Sequence, residues 1–162
     1  MRDEAVFING IYRGVLDEIL VVQEHLPDQI LFLQPYKSQP IKHLMASPPS
    51  VDDPVQLLAS TTERLGEVEF AGEIVWWDDK RNLPEHRWHA ISRIVWSLQP
   101  TEGGVYDRAA GSRCVNLLHV RRLRRLKRGI PVTQLIKTEN GQPIRGERSR
   151  AGSWTYVERV EV

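Results

Sequence analysis

Glu67-Val68-Glu69-Phe70-Ala71-Gly72-Glu73-Ile74-Val75-Trp76-Trp77 carries the clearest period in the chain. Val68, Phe70, Gly72, Ile74 and Trp76 alternate with Glu67, Glu69, Ala71, Glu73 and Val75, which is the pattern of a strand with one polar face at its start. Adjacent strand residues point to opposite faces, so one of Trp76 and Trp77 is expected in the core and the other outside it. Asp78-Asp79-Lys80-Arg81-Asn82 then turns, and Asn82 with Pro84 and Glu85 has the form of an N-cap with a capping box. This predicts a helix over 84–99 through Trp88, Ile91, Val95 and Leu98.

Toward the N-terminus, Val6-Phe7-Ile8 reads as a short strand, and Asn9 as the cap of a helix whose apolar face is Ile11, Val15, Ile19 and Val22, stopped by Pro27. Residues 29–36 contain Ile30-Leu31-Phe32-Leu33, an apolar run of strand length ended by Pro35. Pro54 has the place of a first-turn helical proline, with Val55, Leu58 and Leu65 facing inward. Toward the C-terminus, residues 105–113 read as an exposed loop and Cys114 to Val120 as a strand. Val120, Leu123 and Leu126 recur every three residues, a period that is ambiguous between continuation of the strand and a helical turn following it. Residues 131–136 and 154–160 supply the last strands, with a turn at Asn140-Gly141. The order βαβαβαβββ does not separate strands regularly by helices. It predicts an α+β fold, a mixed or antiparallel sheet partly closed into a barrel with surrounding helices.

At 162 residues the chain is read as one domain, residues 1–162, and 41% hydrophobic residues with five Trp supply a packed interior. No apolar run approaches the roughly 20 residues that span a bilayer. Met1-Arg2-Asp3-Glu4 is acidic where a signal peptide is basic, so a cytoplasmic, non-membrane protein is expected. Cys114, the single cysteine, suits a packed thiol. The net charge of +1 conceals a division: residues 1–110 carry 10 Lys+Arg against 17 Asp+Glu, and residues 111–162 carry 12 against 4. Such asymmetry fits either a polyanionic partner or attraction between the two parts of one fold.

The sharpest positive signal is the run from His119 to Arg128, in which Leu123 and Leu126 interleave Arg121, Arg122, Arg124, Arg125, Lys127 and Arg128. Leucines anchored in a core would set those side chains out as a stripe for phosphate. The plainer alternative is that they pair with the acidic first two thirds of the chain or are solvated. A ring from the Trp76-Trp77 pair left outside the core offers a stacking surface for a base, with packing under the following helix as the alternative. Asp28 after Pro27, with Asp78 and Lys80, loosely follows the acidic-x-lysine pattern of Mg²⁺-dependent nucleases, although such residues are common in turns. His86 and His89 are too few for a metal site without further ligands. No glycine-rich phosphate loop or nucleophile elbow is present, so no catalytic residue, cofactor or metal is assigned and an enzyme is disfavoured.

Several segments resemble the PUA-like group of small barrels, in particular its EVE-like branch. Val6-Phe7-Ile8-Asn9 resembles the opening strand, Pro27-Asp28-Gln29-Ile30-Leu31-Phe32 the strand after a Gly-Asp turn, and Phe70-Ala71-Gly72-Glu73-Ile74-Val75 a small-Gly-x-apolar strand. Val115-Asn116-Leu117 through Leu123, followed by Ile130-Pro131-Val132-Thr133-Gln134-Leu135, is similar to the late strand and Pro-Val-x-x-x-Leu segment. Pro27 in place of Gly, a long helix over 9–25 and the arginine-rich run depart from that pattern. The resemblance implies a non-enzymatic module that holds a nucleic-acid base, modified or flipped, in an aromatic pocket beside a basic surface. Asn9, Tyr36, Trp76, Trp77 and Asp78 would form that pocket, and DNA or RNA would be the partner. A third expectation is an adaptor whose acidic and basic faces join protein subunits, including copies of itself.

Overall fold

Val6, Phe7 and Ile8 have no solvent exposure at all, because the strand that carries them is flanked by partners on both sides. In the computed structural model, which describes residues 1–35, 39–87, 115–145 and 153–162, this strand is β1, Glu4–Ile11. It is followed by helix α1 (Arg13–His25), β2 (Leu31–Leu33), the short helix α2 (Lys42–Ala46), β3 (Val55–Thr61) and β4 (Glu67–Asp79). A 3₁₀ turn at Lys80–Asn82 leads away from β4, and β5 (Asn116–Pro131), a second 3₁₀ turn at Val132–Gln134 and β6 (Ser153–Glu158) complete the described elements.

The six strands form one sheet in the order β2-β5-β4-β3-β1-β6. Among the described strands only β1 and β3 run parallel and every other pair is antiparallel, so the fold is α+β with a mixed sheet. Its two edge strands, β2 and β6, do not pair with each other. The outer side of β6 is nevertheless covered, since Glu158 N–H donates to the Ile136 carbonyl (2.8 Å) and Thr138 N–H to the Tyr156 carbonyl (3.1 Å).

Strand alternation divides the core between the two faces. On one face Ile8, Leu57, Phe70, Ile74, Leu118 and Val120 pack under α1 and α2 through Val15, Leu16, Ile19 and Leu44. On the other Phe7, Leu58, Ala71 and Val157 pack against Val132, Leu135 and Ile144 from the segment after β5. The turn expected at Asn140-Gly141 is present: Gly141 has φ 69°, where a side chain is disfavoured, and Asn140 Oδ1 accepts from Gln142 N–H at 3.0 Å.

Several sequence expectations change. Asn9 does not cap α1; it lies within β1, and the helix begins after Tyr12 with no side-chain cap. Pro54 opens β3 rather than a helix. Val55–Thr61 is buried throughout, and a proline at the head of a strand sacrifices no ladder bond. The threefold recurrence of Val120, Leu123 and Leu126 marks no helical turn. β5 stays a strand to Pro131, and one extra residue near Arg122 places Leu123 on the same face as Val120. The expected strand over 131–136 is a 3₁₀ turn followed by isolated bridges at Ile136 and Lys137. The helix expected over 84–99 is described only in its first turn, and the rest of it, the 105–113 loop and Cys114 lie outside the described residues.

Candidate nucleic-acid interface

The β4–β5 ladder carries most of the residues singled out above, and three irregularities shape it. One extra residue in β4 lies between Ile74 and Trp76, and one in β5 between Arg121 and Arg124. Farther along, two steps in β4 from Val68 to Phe70 match five in β5 from Ile130 to Arg125, so Leu126 to Gly129 bow out of the ladder. Such bulges bend a strand and re-aim its side chains. Leu126 and Ile130 pin the bow to the second core cluster, and Gly129 lets it lie against Glu67, whose carboxylate would overlap any side chain there.

The tryptophan pair divides as alternation requires. Trp77 is buried with the helix-side core, and its indole N–H donates to Asn116 Oδ1 at 2.8 Å. Asn116 is itself fully buried; the same oxygen accepts from Ile41 N–H (2.8 Å), while its amide donates to the Gln39 carbonyl (2.9 Å). Trp76 points the other way and is 41% exposed.

Around Trp76 lies a polar group on the same face. The Trp76 indole N–H donates to Asp78 Oδ1 at 3.3 Å, and His119 Nε2 is 2.8 Å from Asp78 Oδ2, with Arg87 Nη2 at 3.5 Å from the same oxygen. Phe32 of β2 meets the His119 ring edge-on with centroids 4.8 Å apart. Burial pushes the Asp78 carboxyl up, but the hydrogen bond and charge of His119, the Trp76 N–H and the Arg87 charge outweigh it and hold the carboxyl below its usual range. Asp78 is therefore an anion committed to its neighbours. Beside it a cleft of about 300 Å³ is lined by Met45, Trp77, Asn82, Leu83 and Arg87 among others.

The basic run separates into two kinds of cation. Arg121 Nε donates to Glu73 Oε2 at 2.6 Å and Arg122 Nη1 to Glu73 Oε1 at 3.4 Å, while Arg124 donates to the Val162 carbonyl. To that extent the run does pair within the fold. Arg125, Lys127 and Arg128 are exposed and make no ion pair among the described residues.

The other candidates are dispersed. Asn9 is buried and accepts from Ser60 Oγ at 2.7 Å; since Ile8 pairs with Ala59 and Ala59 with Phe70, it lies toward the Phe70 end of β4, away from Trp76, Trp77 and Asp78. Tyr36 lies outside the described residues. The nuclease constellation is not assembled. Asp28 precedes β2 on the side where Leu31 meets Val120, whereas Asp78 is level with Leu117, and Lys80 is fully buried with Nζ donating to Gln34 Oε1 at 2.9 Å. No group of three or more His, Cys, Asp or Glu side chains suited to a metal occurs among the described residues. His89 lies outside them. Sequence reading missed Glu73 and Asn116 as organising residues and treated His119 only as the start of a charge run. The alternation shared by His119 and Arg121 was the available signal, because it places both on one face.

No helix among the described residues is long and apolar enough to cross a membrane. Comparison with known proteins finds no matching family model, no similar curated protein and no similar solved structure.

Proposed function

We propose that this chain is a nucleic-acid-binding module built as a partly closed, PUA-like barrel, in which a base stacks on Trp76 and phosphates meet the cations of β5. The observation that carries the reading is the occurrence, on the neighbouring strands β4 and β5, of an exposed indole and of exposed cations that lack intramolecular ion pairs among the described residues. Aromatic stacking accepts any base and contributes about 1–3 kcal/mol. Lys and Arg side chains without a carboxylate partner meet phosphates without first breaking an ion pair. Arg125, Lys127 and Arg128 thus provide the electrostatic footprint, and Asp78 serves to hold the Trp76 ring and His119 in place. Recognition of a modified base in the cleft beside Trp77 is the finer form of the same reading, in line with the EVE-like resemblance.

Fluorescence anisotropy with labelled single- and double-stranded DNA and RNA across a salt series tests the proposal. Affinity should fall linearly on logarithmic axes. Replacing Arg125, Lys127 and Arg128 together by Ala should make the slope shallower by about 0.7–0.9 for each phosphate that is no longer neutralised. Absent or salt-independent binding would refute it.

A further inference from the structure

Arg122 has φ 51°, in the left-handed region, and is the only non-glycine residue in that region among the described residues. A long side chain there is strained, and such strain persists only where the surrounding structure holds it, clustering at ligand clamps and other sites. The geometric result is specific. In a regular strand Arg121 and Arg122 would point to opposite faces, but the extra residue in β5 brings both guanidiniums to Glu73, at 2.6 Å and 3.4 Å. Arg121 is held further by donating from Nη2 to the Val51 carbonyl at 3.0 Å, and its side chain is only 14% exposed. The Arg122 side chain is 58% exposed, and beyond its long contact with Glu73 its donors have no partner among the described residues.

Two guanidiniums on one carboxylate leave an excess positive charge, and that charge is fixed from beneath instead of waving on a flexible stem. Arg121 is two residues from His119, about 7 Å along a strand, and His119 pairs in the ladder with Trp76. Glu73, which the Arg122 guanidinium contacts, and Trp76 thus lie on one face of β4–β5, two ladder steps apart along β5.

We propose that Arg122, backed by Glu73 and Arg121, is a seat for one phosphodiester group of a single strand, adjoining the base that stacks on Trp76. This inference rests on the nucleic-acid-binding reading and goes past it, by assigning a built phosphate site distinct from the loosely held Arg125, Lys127 and Arg128. Arginine suits the role because its planar fork can contact Glu73 through one nitrogen and phosphate through the others.

The test uses the full chain, a short labelled single-stranded oligonucleotide and a salt series, comparing wild type, Arg122→Gly, Arg122→Asn and the triple Ala variant of Arg125, Lys127 and Arg128. Glycine and asparagine both accept a left-handed backbone, so the two Arg122 variants should melt no lower than wild type. Each should bind about tenfold more weakly, the effect of one charge-assisted hydrogen bond, with a slope shallower by about 0.7–0.9. If both Arg122 variants bind as wild type does while the triple variant is weakened, the seat is wrong and the binding function stands. Weaker binding with an unchanged slope marks a merely structural effect and also overturns the seat. No binding by the wild type at any salt concentration overturns both the seat and the function.

Discussion

Tyr156 is a single side chain whose ionisation is coupled to folding. It sits in β6 with its ring stacked on His43 of α2, centroids 4.1 Å apart. Burial, and then the carboxylate of Glu4, disfavour the phenolate and push its pKa up to about 12, against a smaller opposing effect of Arg2. In an unfolded chain the same group titrates near about 10. The folded state therefore holds the proton more tightly, and the stability this contributes is complete below about pH 10 and disappears as pH rises toward 12. Urea midpoints measured across this range should fall more steeply for the wild type than for Tyr156→Phe; parallel curves would show that Tyr156 carries no such linkage.

At the scale of elements, β5 is the strand that needs most help. β2 pairs with it only from Leu118 to Val120, which leaves the next stretch of that edge without a strand among the described residues. Gln23 of α1 fills part of the gap: its amide nitrogen donates to the Leu123 carbonyl at 2.7 Å and its oxygen accepts from Leu123 N–H at 2.8 Å. One side chain thus stands in for a residue of a neighbouring strand and ties helix to sheet. Gln23→Ala should cost about 1–2 kcal/mol in chemical denaturation and speed hydrogen exchange at the Leu123 amide; an unchanged exchange rate there would count against the role. Neither bond was legible in the sequence, since Gln23 reads as an ordinary polar position of an amphipathic helix. What could be read locally was β4, whose alternation needs no distant partner to be recognised, and likewise the last strand and Val15 and Ile19 of the buried face of α1, whereas Ile11, read with them, belongs to β1. What could not was decided by distant contacts. Pro54 looks like a helix start until β1 and β4 enclose Val55–Thr61. The spacing of Val120 and Leu123 looks helical until the bulge at Arg122 is known. The candidate site was legible to the same degree: the split between Trp76 and Trp77 followed from alternation, but the distance of Asn9 from them followed only from register.

For the whole molecule, the opposed charges of its two parts are only partly reconciled within the fold. Glu73 absorbs Arg121 and Arg122, while Glu63 and Glu69 are engaged by Arg13, a residue of their own acidic portion, at 3.1 and 2.6 Å. The cations left over are those without structural work, and this separates binding from stability. Replacing Arg125, Lys127 and Arg128 together by Ala should leave thermal stability within about 0.5 kcal/mol of wild type, the usual range for surface changes that break no contact. A clear drop in melting temperature would show that these side chains support the fold.

The parallel pairing of β1 with β3 and the antiparallel pairing of β1 with β6 together set the order in which the molecule can be completed. Val6 needs Leu57 on one side and Tyr156 on the other. On the ribosome β1 is made before the other described strands yet is among the last to be enclosed, because one flank of it stays bare until Ser153–Glu158 has emerged. Until then an apolar strand presents an open edge, a template for pairing with other chains. Closure across so long a sequence separation makes this a slow-folding topology, so the exposed edge of β1 persists until β6 has docked against it.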